Sequence, residues 1–135
     1  MHPTTILYPI FALAGWTALA LLWLAITRFT SRLQPEDFIC GESDKVPMRA
    51  LIANRNYVNL LELPLLFYVV CLMLHIGSSP SDLAFYLAWA YVGLRVVHSL
   101  IYLTYNHVMH RFAAFAVSNV VLLALWMCAF NLLFY

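Results

Sequence analysis

Four long apolar runs alternate with short polar segments along the chain. The runs cover about residues 6–26, 48–76, 83–106 and 112–134, and each is long enough, at roughly 20 residues or more, for an α-helix to cross a bilayer. The polar segments between them lie at 27–47, 77–82 and 107–111. This pattern predicts an all-α membrane protein, a four-transmembrane-helix up-and-down bundle that forms a single domain over residues 1–135.

The composition favours the same class. Of the 135 residues, 64% are hydrophobic and 10% are charged, whereas an average soluble domain has about 25% charged residues. The formal net charge of +1 provides no basic surface, so no nucleic-acid partner is predicted. Cys40, Cys71 and Cys128 are far apart and form no CxxC motif, so we interpret them as small hydrophobic residues.

The positions of Lys and Arg predict the orientation in the membrane. Five basic residues flank or lie within the first polar segment, and another lies in the last: Arg28, Arg32, Lys45, Arg49, Arg55 and Arg111. The middle segment, 77–82, has none. We therefore expect the first and last loops to be cytoplasmic and both termini to lie outside, in a bacterial inner (cytoplasmic) membrane.

Three polar side chains share one stripe of the second run. Arg55, Asn59 and Glu62 are spaced i, i+4, i+7, so they fall within roughly 60° of one another on an ideal helix. A charge inside a membrane span is costly and is by default a sign of function. Pro64 cannot donate a backbone hydrogen bond, so a kink is predicted just after Glu62.

The third run carries a second polar stripe. Its members are Arg95, His98, Ser99, Tyr102 and Asn106, within an arc of about 100° on one continuous helix. Counting helical rise from the loop ends places Glu62 and Arg95 at similar depths, which predicts an ion pair that serves structure or a ligand. The same estimate puts Arg55 and Tyr102 together at a shallower level.

Basic residues near the loop ends could serve a ligand, the membrane interface or a metal ion. Arg55 has no carboxylate at its own depth, which suits an anionic ligand. Arg111 is by composition alone an interface arginine that reaches toward water. His107 and His110 are spaced i, i+3 but lack a third ligand nearby in sequence, so no metal site is predicted.

Two stretches resemble the MAPEG superfamily (membrane-associated proteins in eicosanoid and glutathione metabolism), in its short bacterial type. The first is Arg55-x-x-x-Asn59-x-x-Glu62, followed by Pro64 and Phe67. The second is Arg95-Val96-Val97-His98-Ser99-Leu100-Ile101-Tyr102-Leu103-Thr104-Tyr105-Asn106, which leads to His110-Arg111-Phe112. The four-span plan and the length also fit, so the resemblance covers nearly the whole chain.

The resemblance implies a homotrimer in which glutathione, as co-substrate, binds in clefts between subunits that open to the cytoplasmic leaflet. A lipophilic small-molecule substrate would enter from the lipid bilayer. By motif, Arg111 is the candidate catalytic residue that stabilises the thiolate, with Arg55 as the alternative. The residues implied for glutathione binding are Arg55, Asn59, Glu62, Arg95, His98, Tyr102 and Asn106.

The chain departs from the usual family pattern at three points. Ile52 occupies the position of a second arginine, Pro64 follows Glu62 by two residues rather than three, and Arg111 lies about two residues beyond the usual catalytic arginine. The first hypothesis is a glutathione-dependent transferase or peroxidase that acts on lipophilic electrophiles or lipid hydroperoxides. The alternative is a non-catalytic accessory or scaffold subunit, within a larger membrane complex; a transporter ranks below both.

Overall fold

The structure is a computed structural model that describes residues 2–40, 44–78 and 81–135. Its α-helices are α1 (Leu7–Phe29), α2 (Met48–Leu61), α3 (Pro64–Ile76), α4 (Asp82–Leu103) and α5 (Val108–Phe134), with short 3₁₀ helices at Pro3–Ile6 and Pro35–Phe38. Parts of two predicted linkers, 41–43 and 79–80, lie outside the described residues. No β-strand occurs in the described parts, and the predicted four-helix class is confirmed.

Four stretches are long and apolar enough to cross a membrane: Thr4–Phe29, Met48–Ile76, Asp82–Leu103 and Val108–Phe134. Their large apolar side chains are mostly exposed on the outside of the single chain, as at Phe11, Leu65 and Val120. Lipid is the solvent that such a surface requires. Arg95, His98 and Ser118 are buried within the spans while many large apolar side chains face outward, which is typical of a protein that lies in a bilayer.

The second span is broken, as Pro64 predicts. α2 ends at Leu61, and Glu62 leaves the helical region with φ −74° and ψ −93°. α3 then starts with Pro64 at its first position, where the missing N–H costs nothing. Backbone carbonyls in the last turn of α2 therefore lose their usual partners at this break.

The last two helices form a close hairpin. α4 and α5 pack against each other, and each buries small residues, among them Ala84 and Ala88 of α4 and Ala114 and Ser118 of α5. Small side chains let membrane helices approach closely. The interior is completed by larger groups, and the rings of Phe67 and Tyr91 stack with their centroids 4.8 Å apart.

The link between α4 and α5 differs from the predicted one at both ends. α4 ends at Leu103 rather than 106, because Thr104 takes φ −105° and ψ −102°. α5 begins at Val108 rather than 112, because the His107 side chain accepts a hydrogen bond from the His110 amide, 3.4 Å away, and caps the helix. Arg111 thus lies in the first turn of α5, and Asn106 is not part of α4.

Candidate functional site

Polar side chains gather at one end of the bundle, which we call the linker end because the α1–α2 and α4–α5 linkers lie there. A cavity of about 260 Å³ opens at this end between α2 and α4, lined by Asn54, Arg55, Val58, Asn59 and Tyr102. Arg55 is exposed and forms no ion pair or hydrogen bond with any residue that the structure describes. The predicted common level of Arg55 and Tyr102 agrees with this arrangement.

Asn54 is a cavity residue that the polar stripe did not predict. Its Oδ1 accepts a hydrogen bond from Nη2 of Arg28, at 3.2 Å, which ties α2 to the end of α1. The sequence signal that could have indicated Asn54 is the polar triplet Asn54-Arg55-Asn56 near the start of an otherwise apolar run. Asn54 therefore forms a wall of the cavity and links two helices.

A second cavity of about 190 Å³ lies between α4 and α5, lined by His98, Val108, Arg111, Phe112 and Phe115. Arg111 is half-buried here, and its Nη1 donates to Oδ1 of Asn106 at 2.7 Å. Its guanidinium carbon also lies 4.3 Å from the centre of the Tyr102 ring. Such a contact attracts a cation to the ring face.

Tyr102 lies between the cavity of Arg55 and the side chain of Arg111. It is 8% exposed, it lines the cavity of Arg55, and its ring contacts the Arg111 guanidinium. The His98 ring lies 5.9 Å from it in an edge-on arrangement. Arg111 thus contacts the Tyr102 ring and Arg55 lines a cavity with it. Neither arginine has an acidic partner among the described residues, a setting that suits an anionic ligand.

Arg95 has a different environment from the one expected. It is 0% exposed, and its Nη2 donates to the backbone carbonyl of Asn59, one of the carbonyls that the break leaves without a helical partner. A cation at a helix C-terminus also opposes the negative end of the helix dipole. Arg95 thus caps α2, although its Nε and Nη1 have no hydrogen-bond partner in the structure.

Glu62 does not form the expected ion pair with Arg95. No carboxylate of the described residues lies within 4.0 Å of the Arg95 guanidinium, and Glu62 is exposed outside the cavity that Arg55 lines. The physical reason is the break itself, since Glu62 lies where the backbone leaves α2 and its direction no longer follows the helical stripe. The kink was predicted just after Glu62, whereas the helix already ends at Leu61, so Glu62 lies within the break.

The histidines of the α4–α5 link contact each other. The rings of His107 and His110 are 4.3 Å apart between centroids, and Nδ1 of His110 lies 3.0 Å from the Tyr105 hydroxyl. Within the parts of the chain that the structure describes, no group of three or more His, Cys, Asp or Glu is placed to hold a metal ion.

Of the predicted site residues, the structure brings Arg55, Asn59 and Tyr102 to one cavity and His98 and Arg111 to the other. Asn106 joins them through Arg111, Arg95 lies behind them at the helix break, and Glu62 lies apart.

A family model described as the MAPEG family matches residues 6–131 of the chain. No curated protein and no solved structure matches it.

Proposed function

Because the chain belongs to the MAPEG family, an integral-membrane family with glutathione-dependent enzymes and non-catalytic members, we propose that it is a glutathione-dependent membrane enzyme. Its reaction would be the transfer of glutathione to a lipophilic electrophile or the reduction of a lipid hydroperoxide. In the first reaction the thiol loses its proton and its sulfur forms a bond to the electrophilic carbon, while the bond from that carbon to a leaving group breaks or, at an activated double bond, the π bond breaks and the neighbouring carbon takes up a proton. In the second, two glutathione thiols become a disulfide while the hydroperoxide becomes an alcohol and water.

The observation that supports this proposal is a pair of arginines without acidic partners near Tyr102. Arg55 and Arg111 have no carboxylate partner among the described residues. Arg55 lines a cavity together with Tyr102, and Arg111 lines the second cavity and lies over the Tyr102 ring. Glutathione brings two carboxylates and a thiol that must ionise. A set of uncompensated cations is what such a ligand requires.

We assign the roles by chemistry and by level. Arg55 binds a carboxylate in the first cavity, with Asn59 beside it. Arg111 stabilises the thiolate, because a free thiol ionises near about pH 8.5 and an adjacent cation lowers that value. Val108, Phe112 and Phe115 give the second cavity an apolar wall, against which a lipophilic substrate would rest.

Two of the family-implied residues have altered roles in this proposal. Arg95 acts through the backbone, since its Nη2 holds the carbonyl of Asn59. Glu62 is exposed on the surface of the single chain, so its carboxylate stays available to the amino group of a ligand that lies between protomers. We propose a homotrimer with such clefts between its protomers. It would lie in a bacterial inner membrane, with the α1–α2 and α4–α5 linkers cytoplasmic and both termini outside.

Two observations favour the second candidate, a non-catalytic accessory or scaffold subunit. Ile52 stands where the family enzymes usually carry another arginine, and Arg95 is engaged by the backbone of α2. In that case the polar stripes serve helix packing, and glutathione does not bind.

The test is ultraviolet difference absorbance of the glutathione thiolate on addition of glutathione to the protein in mild detergent. We expect a thiolate band with the wild type and its loss in Arg111→Ala. The matched control is Arg32→Gly, which removes one exposed arginine at a position whose φ of 51° suits glycine. A wild type that neither binds glutathione nor gives the band would favour the scaffold function.

A further inference from the structure

Asn106 has a backbone conformation that few residues accept. Its φ is 47°, in the left-handed region that glycine and, less often, asparagine and aspartate adopt without large strain. Its amide donates to the carbonyl of Ile101 at 2.8 Å and so closes the end of α4.

The side chain of Asn106 gives a reason for asparagine rather than glycine. Its Oδ1 accepts from Nη1 of Arg111 at 2.7 Å, and since arginine only donates hydrogen bonds, the amide oxygen must be the atom that faces it. The same guanidinium lies over the ring of Tyr102. Arg111 is therefore held from two directions, by an amide oxygen and by an aromatic face.

We infer that Asn106 is a positioning residue: the left-handed turn after α4 directs its amide oxygen at Arg111 and fixes that guanidinium over Tyr102. This inference rests on the proposed function and assigns Asn106 a role through Arg111 rather than a contact with glutathione. Glycine would keep the turn and lose the orientation of Arg111. Aspartate would keep both the turn and an acceptor.

A double-mutant cycle tests this directly. The variants are Asn106→Gly, Arg111→Ala and the two together, and the measurement is the ratio of thiolate to thiol for bound glutathione as a function of pH. We expect Asn106→Gly to lower that ratio about tenfold, the scale of one hydrogen bond to a charged group. In the Arg111→Ala background the same change should have no further effect, because a residue that acts through another is not additive with it.

Where the wild type forms thiolate, two outcomes would overturn the inference. One is an unchanged ratio of thiolate to thiol in Asn106→Gly, and the other is an equal loss of that ratio with and without Arg111. Asn106→Asp should retain more of the ratio than Asn106→Gly. Thermal unfolding in detergent separates orientation from folding, since Asn106→Gly should melt close to the wild type.

A second measurement decides the matter even if the proposed function fails. The guanidinium ¹⁵N–¹H signals of Arg111 should show slow rotation in the wild type and rapid averaging in Asn106→Gly. If the wild type forms no thiolate but these signals change as stated, the proposed function is wrong and the positioning role holds. If the signals are averaged already in the wild type, or are the same in both proteins, the positioning role is wrong.

Discussion

Arg95 and Arg111 both lie within the bundle but have opposite surroundings. Arg95 is fully buried at the break in the second span and donates to a backbone carbonyl. Arg111 is half-buried at the linker end, is held by a side-chain amide and a ring, and lines a cavity. An arginine held by a backbone carbonyl therefore belongs to the fold, whereas one held by side chains beside a cavity can contact a ligand.

The largest effect should follow loss of the α2 cap. Arg95→Ala removes a charged hydrogen bond and leaves a void, so we expect it to lower the free energy of unfolding by about 2–4 kcal/mol. Arg95→Met fills most of the volume and should cost less. Denaturant unfolding in detergent measures both, with Arg32→Gly as the control. If Arg95→Ala is as stable as the wild type, Arg95 does not stabilise the fold, and its contrast with Arg111 is wrong.

Arg55→Ala should affect the ligand and leave the fold unchanged. Its guanidinium contacts no described partner, so helical content and melting should stay at wild-type values. Glutathione affinity, measured by calorimetry, should fall about tenfold or more, because a charge-assisted contact to a carboxylate is lost. Arg55→Lys is the matched variant and should recover part of the affinity. Equal affinity in all three proteins would remove Arg55 from the site.

A smaller effect is expected from the Tyr102 ring. Tyr102→Leu removes the aromatic face beneath Arg111, and a partly exposed cation–π contact of about 0.5–1 kcal/mol corresponds to a severalfold loss of thiolate. Tyr102→Phe keeps the ring and should behave as the wild type. If the phenylalanine variant instead loses glutathione binding, the hydroxyl contacts the ligand and the ring is not the main contribution.

The smallest effect should come from Glu62→Gln. Because the structure places no ion pair between Glu62 and Arg95, the stability of the single folded chain should not change measurably. The unfolding experiment used for Arg95 measures this as well. A loss comparable to that of Arg95→Ala would show that the two side chains pair in the membrane, and Arg95 would then have an acidic partner after all.

Much of the fold follows from apolar length and from one proline. The four spans and the interruption near Pro64 are properties of local sequence, since hydrophobic run length and a missing N–H act at their own positions. The shared cavity of Arg55 and Tyr102 also follows from helical rise. These inferences needed no knowledge of how distant side chains pack.

The remaining features depend on partners that no local pattern contains. The stripe through Asn106 assumed that α4 continues, but Thr104 leaves the helical conformation, and Asn106 follows in a left-handed conformation with its amide bonded to the Ile101 carbonyl. The hydrogen-bond partner of Arg95 is the backbone carbonyl of Asn59, which lost its helical partner at the break. A backbone partner cannot be predicted from a pattern of side chains. The contact of Arg111 with Tyr102 joins two helices across a turn, and only the folded turn brings them together.

The placement of Arg111 in the first turn of α5 has a consequence for biosynthesis. Arg55 and Tyr102 belong to spans that leave the ribosome before α5. A chain with only its first three spans inserted carries Arg55 but lacks the cation above the Tyr102 ring. Under the proposed function, a nascent chain therefore gains its thiolate-stabilising arginine only when α5 follows α4 into the bilayer.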